Sequence, residues 1–241
     1  MNVSLVCVAK NETPYLEEWV DYNFKLGFDK IIVYQNDWRT DLVRDNLIKY
    51  ELDGLNKQRD SYRHHVMNNQ GENNWAAFFD VDEYLVLKKH NNIKDFVSDY
   101  SDSYGIGVNW VLFGDNGYER VIDNEYSLLK RFTKRQDGIN PHVKSIVKIT
   151  NGLIMDIHNP NHYIMDTNYN KFIGPFNPKG DDNIAQLNHY FCKTKEEFQQ
   201  KCDRGRADTD QPIYYRKMKD FDEYNKNNMT DLTAYNFYFN K

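Results

Sequence analysis

Strand and helix patterns alternate along the first third of the chain, and this alternation constrains the fold more than any other feature of the sequence. Residues 3–9 form an almost continuous apolar run, which is typical of a strand covered on both faces. A helix pattern begins at Thr13 and Pro14, an N-cap residue followed by proline at the first helical position, and can end at Gly27. The next predicted elements are strand 30–34, helix 41–51, helix 58–69 and strand 75–79. This order predicts an α/β fold, with a mixed sheet flanked by helices.

The second half of the sequence is less regular, although it also carries strand and helix patterns. Thr194, followed three residues later by Glu197, predicts a capping box that opens a helix. The remaining strand predictions are 105–113, 127–132, 144–150 and 153–157. We expect a single domain over residues 1–206 and a helical C-terminal tail over residues 207–241 that packs on this domain.

Polar clusters follow the predicted strands of the first half, at the points where those strands end. These clusters are Lys10-Asn11-Glu12, Asn36-Asp37, and Asp80 with Asp82. Parallel strands end at the same edge of a sheet, and ligands of open α/β sheets bind at that edge. We therefore expect the three clusters to share one crevice.

The sharpest local pattern is Asp80-Val81-Asp82, where two carboxylates separated by one residue can face the same cation. Carboxylate oxygens suit Mn²⁺ or Mg²⁺, and such ions commonly retain waters and bind substrate phosphates. We predict a site for Mn²⁺, or Mg²⁺, that offsets the charge of a diphosphate leaving group. The alternative is an exposed acidic turn, because a D-x-D pattern is short.

Histidine and lysine residues provide further candidates, each with a structural alternative. His158 and His189 stand beside strand-like sequence and could complete a metal site or contact phosphate, or could be hydrogen-bonded structural histidines. Lys144 could neutralise a phosphate, or could be a solvated lysine at a strand start. The basic stretch from Lys193 to Arg206 could face phosphate or an anionic lipid surface, or could be a solvated helix face, which is the usual role of a run of charges.

Several classes of protein are excluded or disfavoured by what the sequence lacks. The net charge of −5 gives no basic field for nucleic acid. No apolar run is long enough to cross a membrane. The motifs of P-loop NTPases, dinucleotide-binding folds and zinc proteases are also absent.

Seven sequence pieces occur in one order along the chain. They are VCVAKNE at 6–12, YLEEWVDY at 15–22, IIVYQND at 31–37, WAAFFDVDEY at 75–84, WVLFG at 110–114, HVKSIV at 142–147 and NHYFCK at 188–193. Together they resemble glycosyltransferase family 92, a DUF23-like group related to the family 2 glycosyltransferases. The resemblance covers roughly residues 3–206 and implies a GT-A-like domain with a Rossmann-like mixed sheet.

The resemblance also implies a nucleotide-sugar donor, with a UDP-sugar as the expected one, a divalent metal ion and inversion at the anomeric carbon. Carried over to matching positions, it implies donor-binding roles for Ala9, Asn11, Glu12, Asp37, Asp80 and Lys144. It implies Asp80 and Asp82 as the metal-binding D-x-D motif, with Asp82 favoured as the direct ligand, and we add His189 as a candidate for a further metal or diphosphate contact.

We therefore predict a metal-dependent inverting glycosyltransferase that moves a hexose to a glycan or glycolipid acceptor. Assembly of a bacterial surface polysaccharide or lipopolysaccharide is the expected setting. A carboxylate must take the proton of the acceptor hydroxyl. Our predicted base is Asp115, which ends a strand in the inferred crevice, and then Asp156. Asp115 is also a departure from the family, which more often has a small residue there.

Two alternatives remain open at this point. A sugar-nucleotidyltransferase would carry a glycine-rich phosphate loop after its first strand, where this chain has Lys10-Asn11-Glu12. A non-catalytic carbohydrate-binding protein would not need the acidic pair. Three cysteines, an odd number, and the lack of a basic leader predict a cytoplasmic protein, with peripheral contact at the inner face of the membrane as a further expectation.

Overall fold

The computed structural model describes residues 1–71, 74–206, 208, 209, 211 and 216–240. Its strands are β1 (Asn2–Ala9), β2 (Lys30–Gln35), β3 (Leu47–Glu51), β4 (Asn74–Phe78), β5 (Glu83–Leu87), β6 (Gly105–Leu112), β7 (Lys134–Arg135), β8 (Asn140–Lys148), β9 (Ile164–Met165), β10 (Lys171–Phe172), β11 (Ala185–His189) and β12 (Met229–Thr230). Its helices are α1 (Thr13–Leu26), α2 (Gln58–Asn68), α3 (Ile93–Ser98), α4 (Leu128–Arg131), α5 (Lys195–Asp203), α6 (Met218–Tyr224) and α7 (Thr233–Phe239).

Most of the strands form one mixed sheet, in the order β10-β9-β6-β8-β4-β1-β2-β3, with β11 pairing both β6 and β5. β1 lies parallel to β2 and to β4, and β2 lies parallel to β3. β8 runs antiparallel between β4 and β6. The prediction of an α/β fold with a mixed sheet flanked by helices is confirmed. Since β1, β2 and β4 are parallel, the polar residues that follow them lie at the same edge of the sheet.

Strand β11 brings the second half of the chain to this edge. It pairs antiparallel with β5 in a register that sets His189 opposite Glu83. One residue further on, the Tyr190 amide donates to the Asp82 carbonyl oxygen at 2.9 Å. This pairing places His189 beside the D-x-D loop, although more than 100 residues separate them in sequence.

Helices α1 and α2 cover different parts of the sheet with apolar side chains. On α1, the Trp19 indole N–H donates to the Glu83 carbonyl at 2.8 Å, and the Tyr22 hydroxyl donates to the Leu85 carbonyl at 2.7 Å. Both rings are fully buried, and truncating such a ring to alanine costs about 3–5 kcal/mol. The helix ends at Gly27, whose φ of 100° is a left-handed conformation that glycine adopts without strain.

The C-terminal tail packs on the sheet domain through both backbone and side-chain contacts. β12 pairs antiparallel with β7, and Ala234 of α7 is buried in the main core. The tail therefore contains a strand as well as the expected helices. The predicted boundary at residue 207 lies outside the described residues.

Three local predictions from the sequence are wrong. Residues 41–51 do not form a helix: Asn46 has a φ of 62°, and the stretch that follows it forms strand β3 at the sheet edge. Residues 127–132 contain helix α4 because the Ser127 side chain accepts the Lys130 amide and a Glu18 carboxylate oxygen accepts the Leu128 amide. Such caps satisfy amides that a strand would have paired elsewhere.

The third wrong prediction is the strand over residues 153–157. In that stretch only Met155 takes part in β pairing, through an isolated bridge to Pro160. No helix among the described residues is both long enough and apolar enough to cross a membrane.

Candidate functional site

A cavity of about 350 Å³ opens at the edge of the sheet where β1 and β4 end. That volume lies in the range of small-ligand sites. Its walls come from the end of β1, the D-x-D loop, the strands around His189, and described residues of α5, of α6 and between these two helices. The lining residues are Val8, Lys10, Glu12, Gln58, Asp80, Val81, Asp82, Trp110, His142, Ile157, His158, His189, Phe191, Lys201, Arg204, Gly205, Arg206, Asp208, Arg216, Asp220, Glu223 and Tyr224.

The first carboxylate of the D-x-D loop, Asp80, is held by a buried lysine. The Lys144 ammonium lies 2.9 Å from Asp80 Oδ2 and 3.7 Å from Glu83 Oε2, and its side chain is fully buried. Gln58 donates to the other Asp80 oxygen at 3.2 Å. Burial alone would lower the pKa of Lys144, but Asp80 and Glu83 hold that pKa above its ordinary value. Lys144 is therefore a fixed positive charge below the D-x-D loop, and not the solvated lysine of the alternative interpretation.

The second carboxylate, Asp82, is nearly buried and faces two groups. Its Oδ2 lies 2.6 Å from the Lys201 ammonium, and its Oδ1 lies 3.6 Å from His189 Nε2. Burial alone would raise the pKa of Asp82, but Lys201 and His189 hold that pKa well below its usual range. Burial lowers the pKa of Lys201 to about 8, although Asp82 opposes this shift. Asp82 is therefore ionised at neutral pH although its side chain is only 8% exposed.

The donor atoms present fit a divalent cation held by two side chains and completed by substrate oxygens. The 3.6 Å between Asp82 Oδ1 and His189 Nε2 is too long for a hydrogen bond and short enough for both atoms to reach one ion. The other ring nitrogen of His189 is buried and has no hydrogen-bond partner. Among the described residues, no group of three or more His, Cys, Asp or Glu side chains is arranged to hold a metal. An ion here would keep open positions for waters and phosphate oxygens.

An aromatic wall faces the D-x-D loop across the cavity. The Trp110 ring stacks on His142, with centroids 4.7 Å apart and an interplanar angle of 19°, and contacts His189 at 4.3 Å. His158 Nδ1 lies 3.0 Å from the Val143 carbonyl oxygen, and burial lowers the pKa of His158 to about 4. His158 is therefore neutral near pH 7 and structurally fixed.

The predicted nucleotide-binding residues are only partly brought together. Glu12 is buried, lies 3.4 Å from the Lys193 ammonium and pairs with the Arg204 guanidinium. Asn11 is exposed and has a φ of 55°, and its carbonyl accepts from Arg204 at 3.2 Å. Ala9 is buried at the end of β1. Glu12 lines the cavity, whereas Ala9 and Asn11 do not.

Asp37 lies at the same sheet edge but outside the cavity lining. Its carboxylate is 3.3 Å from the Lys10 ammonium and accepts the Gly54 amide at 2.9 Å. These contacts lower the pKa of Asp37, the Gly54 hydrogen bond contributing most. The expected single crevice therefore contains two of the three polar clusters, with Asn36-Asp37 at its border.

Neither of the predicted bases lines the cavity. The Asp115 carboxylate accepts the Gly117 amide at 2.9 Å and the Asn227 side-chain amide at 3.1 Å, which fixes the turn after β6 against the tail. Asp156 is exposed and pairs with Arg59 at 2.6 Å, beside lining residues Ile157 and His158. Their catalytic roles stay predictions.

The structure places Lys201, Arg204 and Arg206 of the basic stretch in the cavity lining, and it adds Arg216 and Glu223, which no sequence pattern indicated. The interpretation of the basic stretch as a solvated helix face is wrong for Lys193 and Lys201, which are 4% and 6% exposed. A signal for Lys201 was present, since it lies three residues after the buried Phe198 and so on the same face of α5. Arg216 and Glu223, from the tail, carried no such signal.

Comparisons with known proteins give a consistent family. The model of glycosyltransferase family 92 matches residues 53–229. A glycosyltransferase family 92 protein of Arabidopsis thaliana is 24% identical over 214 residues, covering 79% of this chain and 35% of the relative. A family 92 protein from Ricinus communis is 24% identical over 210 residues, covering 80% of this chain and 36% of the relative. The chain thus spans about a third of the length of these curated relatives.

Solved structures show weaker likeness. The S. aureus protein TarS is 18% identical with a TM-score of 0.38, over 62% of this chain and 47% of that one. The structure of TarS in complex with UDP-GlcNAc is 20% identical with a TM-score of 0.36, over 51% of this chain and 37% of that one. HddC from Yersinia pseudotuberculosis is 13% identical with a TM-score of 0.36, over 60% and 68%. Scores this low transfer neither a ligand nor a site residue to this chain.

Proposed function

Because the chain belongs to glycosyltransferase family 92, we propose that it transfers a hexose from a nucleotide sugar, a UDP-sugar, to a hydroxyl of a glycan or glycolipid. The observation that carries the proposal is the cavity in which ionised carboxylates and buried cations meet at the carboxyl edge of the sheet. In this cavity Asp82 lies next to His189, and the buried Lys144 contacts Asp80 of the same loop. A nucleotide diphosphate is the ligand class that needs both a cation site and fixed positive charge.

The proposed donor lies with its nucleoside toward the end of β1 and its diphosphate over the D-x-D loop. Val8, Lys10 and Glu12 provide the wall on the nucleoside side. Glu12 is held in place by Lys193 and Arg204, so its position does not depend on a ligand. Lys144 acts on the diphosphate through Asp80, which it orients at 2.9 Å.

We propose that Asp82 and His189 would hold the divalent ion, Mn²⁺ or Mg²⁺, with Asp80 beside them in the D-x-D loop. When bound, such an ion offsets the charge that develops on the diphosphate as the glycosidic bond breaks. Lys201 orients Asp82 through its contact at 2.6 Å and also donates to the Phe191 carbonyl at 3.1 Å. This second contact anchors Lys201, so that it fixes the Asp82 carboxylate whether or not the ion is bound.

Inversion requires a carboxylate that takes the proton of the acceptor hydroxyl on the face opposite the leaving group. Glu223 lines the cavity, and among the described residues it has no hydrogen bond or ion pair of its side chain. We propose Glu223 as this base ahead of the predicted Asp115 and Asp156, because a base must reach the substrate. Asp222 is adjacent on α6 but does not line the cavity, which makes it a matched control.

The class of acceptor is proposed from the chemistry of the cavity wall alone. The wall formed by Trp110 and His142 offers an aromatic face on which a sugar ring can stack. A surface polysaccharide or lipopolysaccharide acceptor, and contact with membrane lipid, stay predictions from the sequence. The curated relatives named above are plant proteins.

A donor screen tests the proposed function. The purified chain is incubated with a panel of nucleotide sugars and a set of glycan acceptors, with Mn²⁺ or with EDTA, and release of nucleoside diphosphate is measured. We expect one uridine donor to be turned over with Mn²⁺ and not with EDTA, and Glu223→Gln to lose that turnover while Asp222→Asn keeps it. Absence of turnover and of calorimetric nucleotide binding across the panel would refute the proposal.

A further inference from the structure

The cavity lining contains three arginines, Arg204, Arg206 and Arg216, to which no contact with the donor has been assigned above. Arg204 and Arg206 each pair with a carboxylate, Glu12 and Asp208 respectively. Arg204 also donates to the Lys10 carbonyl at 2.7 Å. These two guanidinium groups are therefore occupied by the protein itself.

Arg216 differs from its neighbours. It lines the cavity, and its Nε is buried with no hydrogen-bond partner. Within the part of the chain that the structure describes, no carboxylate lies within 4.0 Å of its guanidinium. The nearby carboxylates of Asp82 and Asp208 are each paired with another cation, Lys201 and Arg206.

Arg216 is half-buried and has other cations around it. The guanidinium lies over the Phe191 ring at 5.7 Å from its centroid, and the Lys201 ammonium lies over the same ring at 4.4 Å. Burial lowers the pKa of Arg216, and Arg206 and Arg204 lower it further through charge repulsion, whereas Asp82 and Asp208 oppose the shift. Because the Nε of this partly buried cation has no hydrogen-bond partner among the described residues, an anion that joins it would stabilise it.

We propose that Arg216 is the diphosphate-binding residue of the cavity, donating two N–H groups to phosphate oxygens on the side away from the sheet. Arginine suits this task because its planar fork binds phosphate in a bidentate manner and stays charged when buried. Lys201, Arg204 and Arg206 add positive charge around the phosphate-binding position. They can do so while they stay paired with their own carboxylates. The assignment of the anion as the donor's diphosphate rests on the proposed function, whereas binding of a diphosphate group does not.

Inorganic pyrophosphate tests this assignment without depending on the base, the sugar or the metal. Its binding is measured by calorimetry in EDTA for the whole chain, for Arg216→Gln and Arg216→Lys, and for Arg63→Gln as a control. Arg63 is an exposed arginine on α2, with 67% of its side chain accessible. Circular dichroism and thermal unfolding verify that each variant is folded.

We expect Arg216→Gln to weaken pyrophosphate binding by roughly tenfold or more, because a hydrogen bond to a charged group contributes about the free energy of one decade in affinity. Arg216→Lys keeps the positive charge but lacks the planar guanidinium fork, so its pyrophosphate affinity should lie between those of the parent and Arg216→Gln. Arg63→Gln should bind pyrophosphate as the parent does. Uridine binding is unchanged in all of them.

Pyrophosphate affinity of Arg216→Gln within about twofold of the parent, or no measurable binding by the parent, would overturn the assignment. Failure of the proposed function gives a different result. In that case no nucleotide sugar is turned over, yet Arg216→Gln still weakens pyrophosphate binding. If Arg216→Gln and the parent turn over the donor with the same KM, the proposed function stands and the role of Arg216 does not.

Discussion

Replacing Arg131 with methionine removes one partner of a buried ion pair that supports the cavity from behind. The Arg131 guanidinium donates to both oxygens of Glu197, at 2.8 and 2.9 Å, and the two side chains are 6% and 3% exposed. Glu197 also accepts from the Tyr15 hydroxyl at 2.5 Å and caps α5 through Thr194. Helix α5 in turn carries Lys201, so this pair anchors a lining residue.

The size of the effect follows from the carboxylate left behind. Burial alone would raise the pKa of Glu197, but Arg131 and the hydrogen bonds lower it from 4.5 to about 2. A pKa lowered in the folded state stabilises the protein above the unfolded pKa, and that stability is lost as pH falls from 4.5 toward 2. A shift of this size corresponds to about 3 kcal/mol, which agrees with the cost of breaking a buried pair.

Urea denaturation at two pH values measures this effect. At pH 7 we expect Arg131→Met to lower the free energy of unfolding by about 3 kcal/mol. Near pH 3 the deficit relative to the parent should shrink, because Glu197 then takes a proton in the variant while the parent loses the stabilisation that the pair provides. A deficit that is equal at both pH values would refute the reasoning, since it would show that loss of packing and not the charge of Glu197 causes it.

Three further predictions concern the cavity itself. Asp82→Asn should lower metal-dependent transfer by roughly a hundredfold or more, measured as product formed with Mn²⁺ and with EDTA; equal rates would remove Asp82 from the site. Asp115→Asn should transfer sugar at close to the parent rate, because its carboxylate is occupied by Gly117 and Asn227, and a loss of transfer in a folded variant would restore it as the base. Lys144→Met should lower the free energy of unfolding by about 3 kcal/mol in urea, and an unchanged midpoint would contradict the burial of its charge.

The sheet and one side of the cavity could be predicted from the sequence because both follow from local patterns. Apolar runs that end in polar residues identified β1 and β4 and put Glu12, Asp80 and Asp82 at one edge. The strand-end rule needs no knowledge of long-range contacts beyond the parallel pairing of those strands. The predictions of short elements were wrong because such elements depend on long-range contacts. Helix α4 forms because Glu18, far away in sequence, accepts its first amides.

The other side of the cavity could not be predicted because it depends on contacts between distant parts of the chain. Lys201 meets Asp82 across 119 positions, and Arg216 belongs to a tail for which the sequence offered only composition. A run of charged residues does not by itself distinguish a lysine on an exposed helix face from a lysine that neutralises a buried carboxylate. The helical spacing from Phe198 to Lys201 was the one local signal that distinguishes them.

A cation held at the D-x-D loop is the central feature of the proposed site. Crystals grown with Mn²⁺ and UDP, with data collected at the manganese absorption edge, locate the ion by its anomalous signal. We predict one strong peak within bonding distance of Asp82 Oδ1 and His189 Nε2, with the diphosphate between this peak and Arg216. A manganese peak and a nucleotide that both lie away from Asp80, Asp82 and His189 would contradict the account.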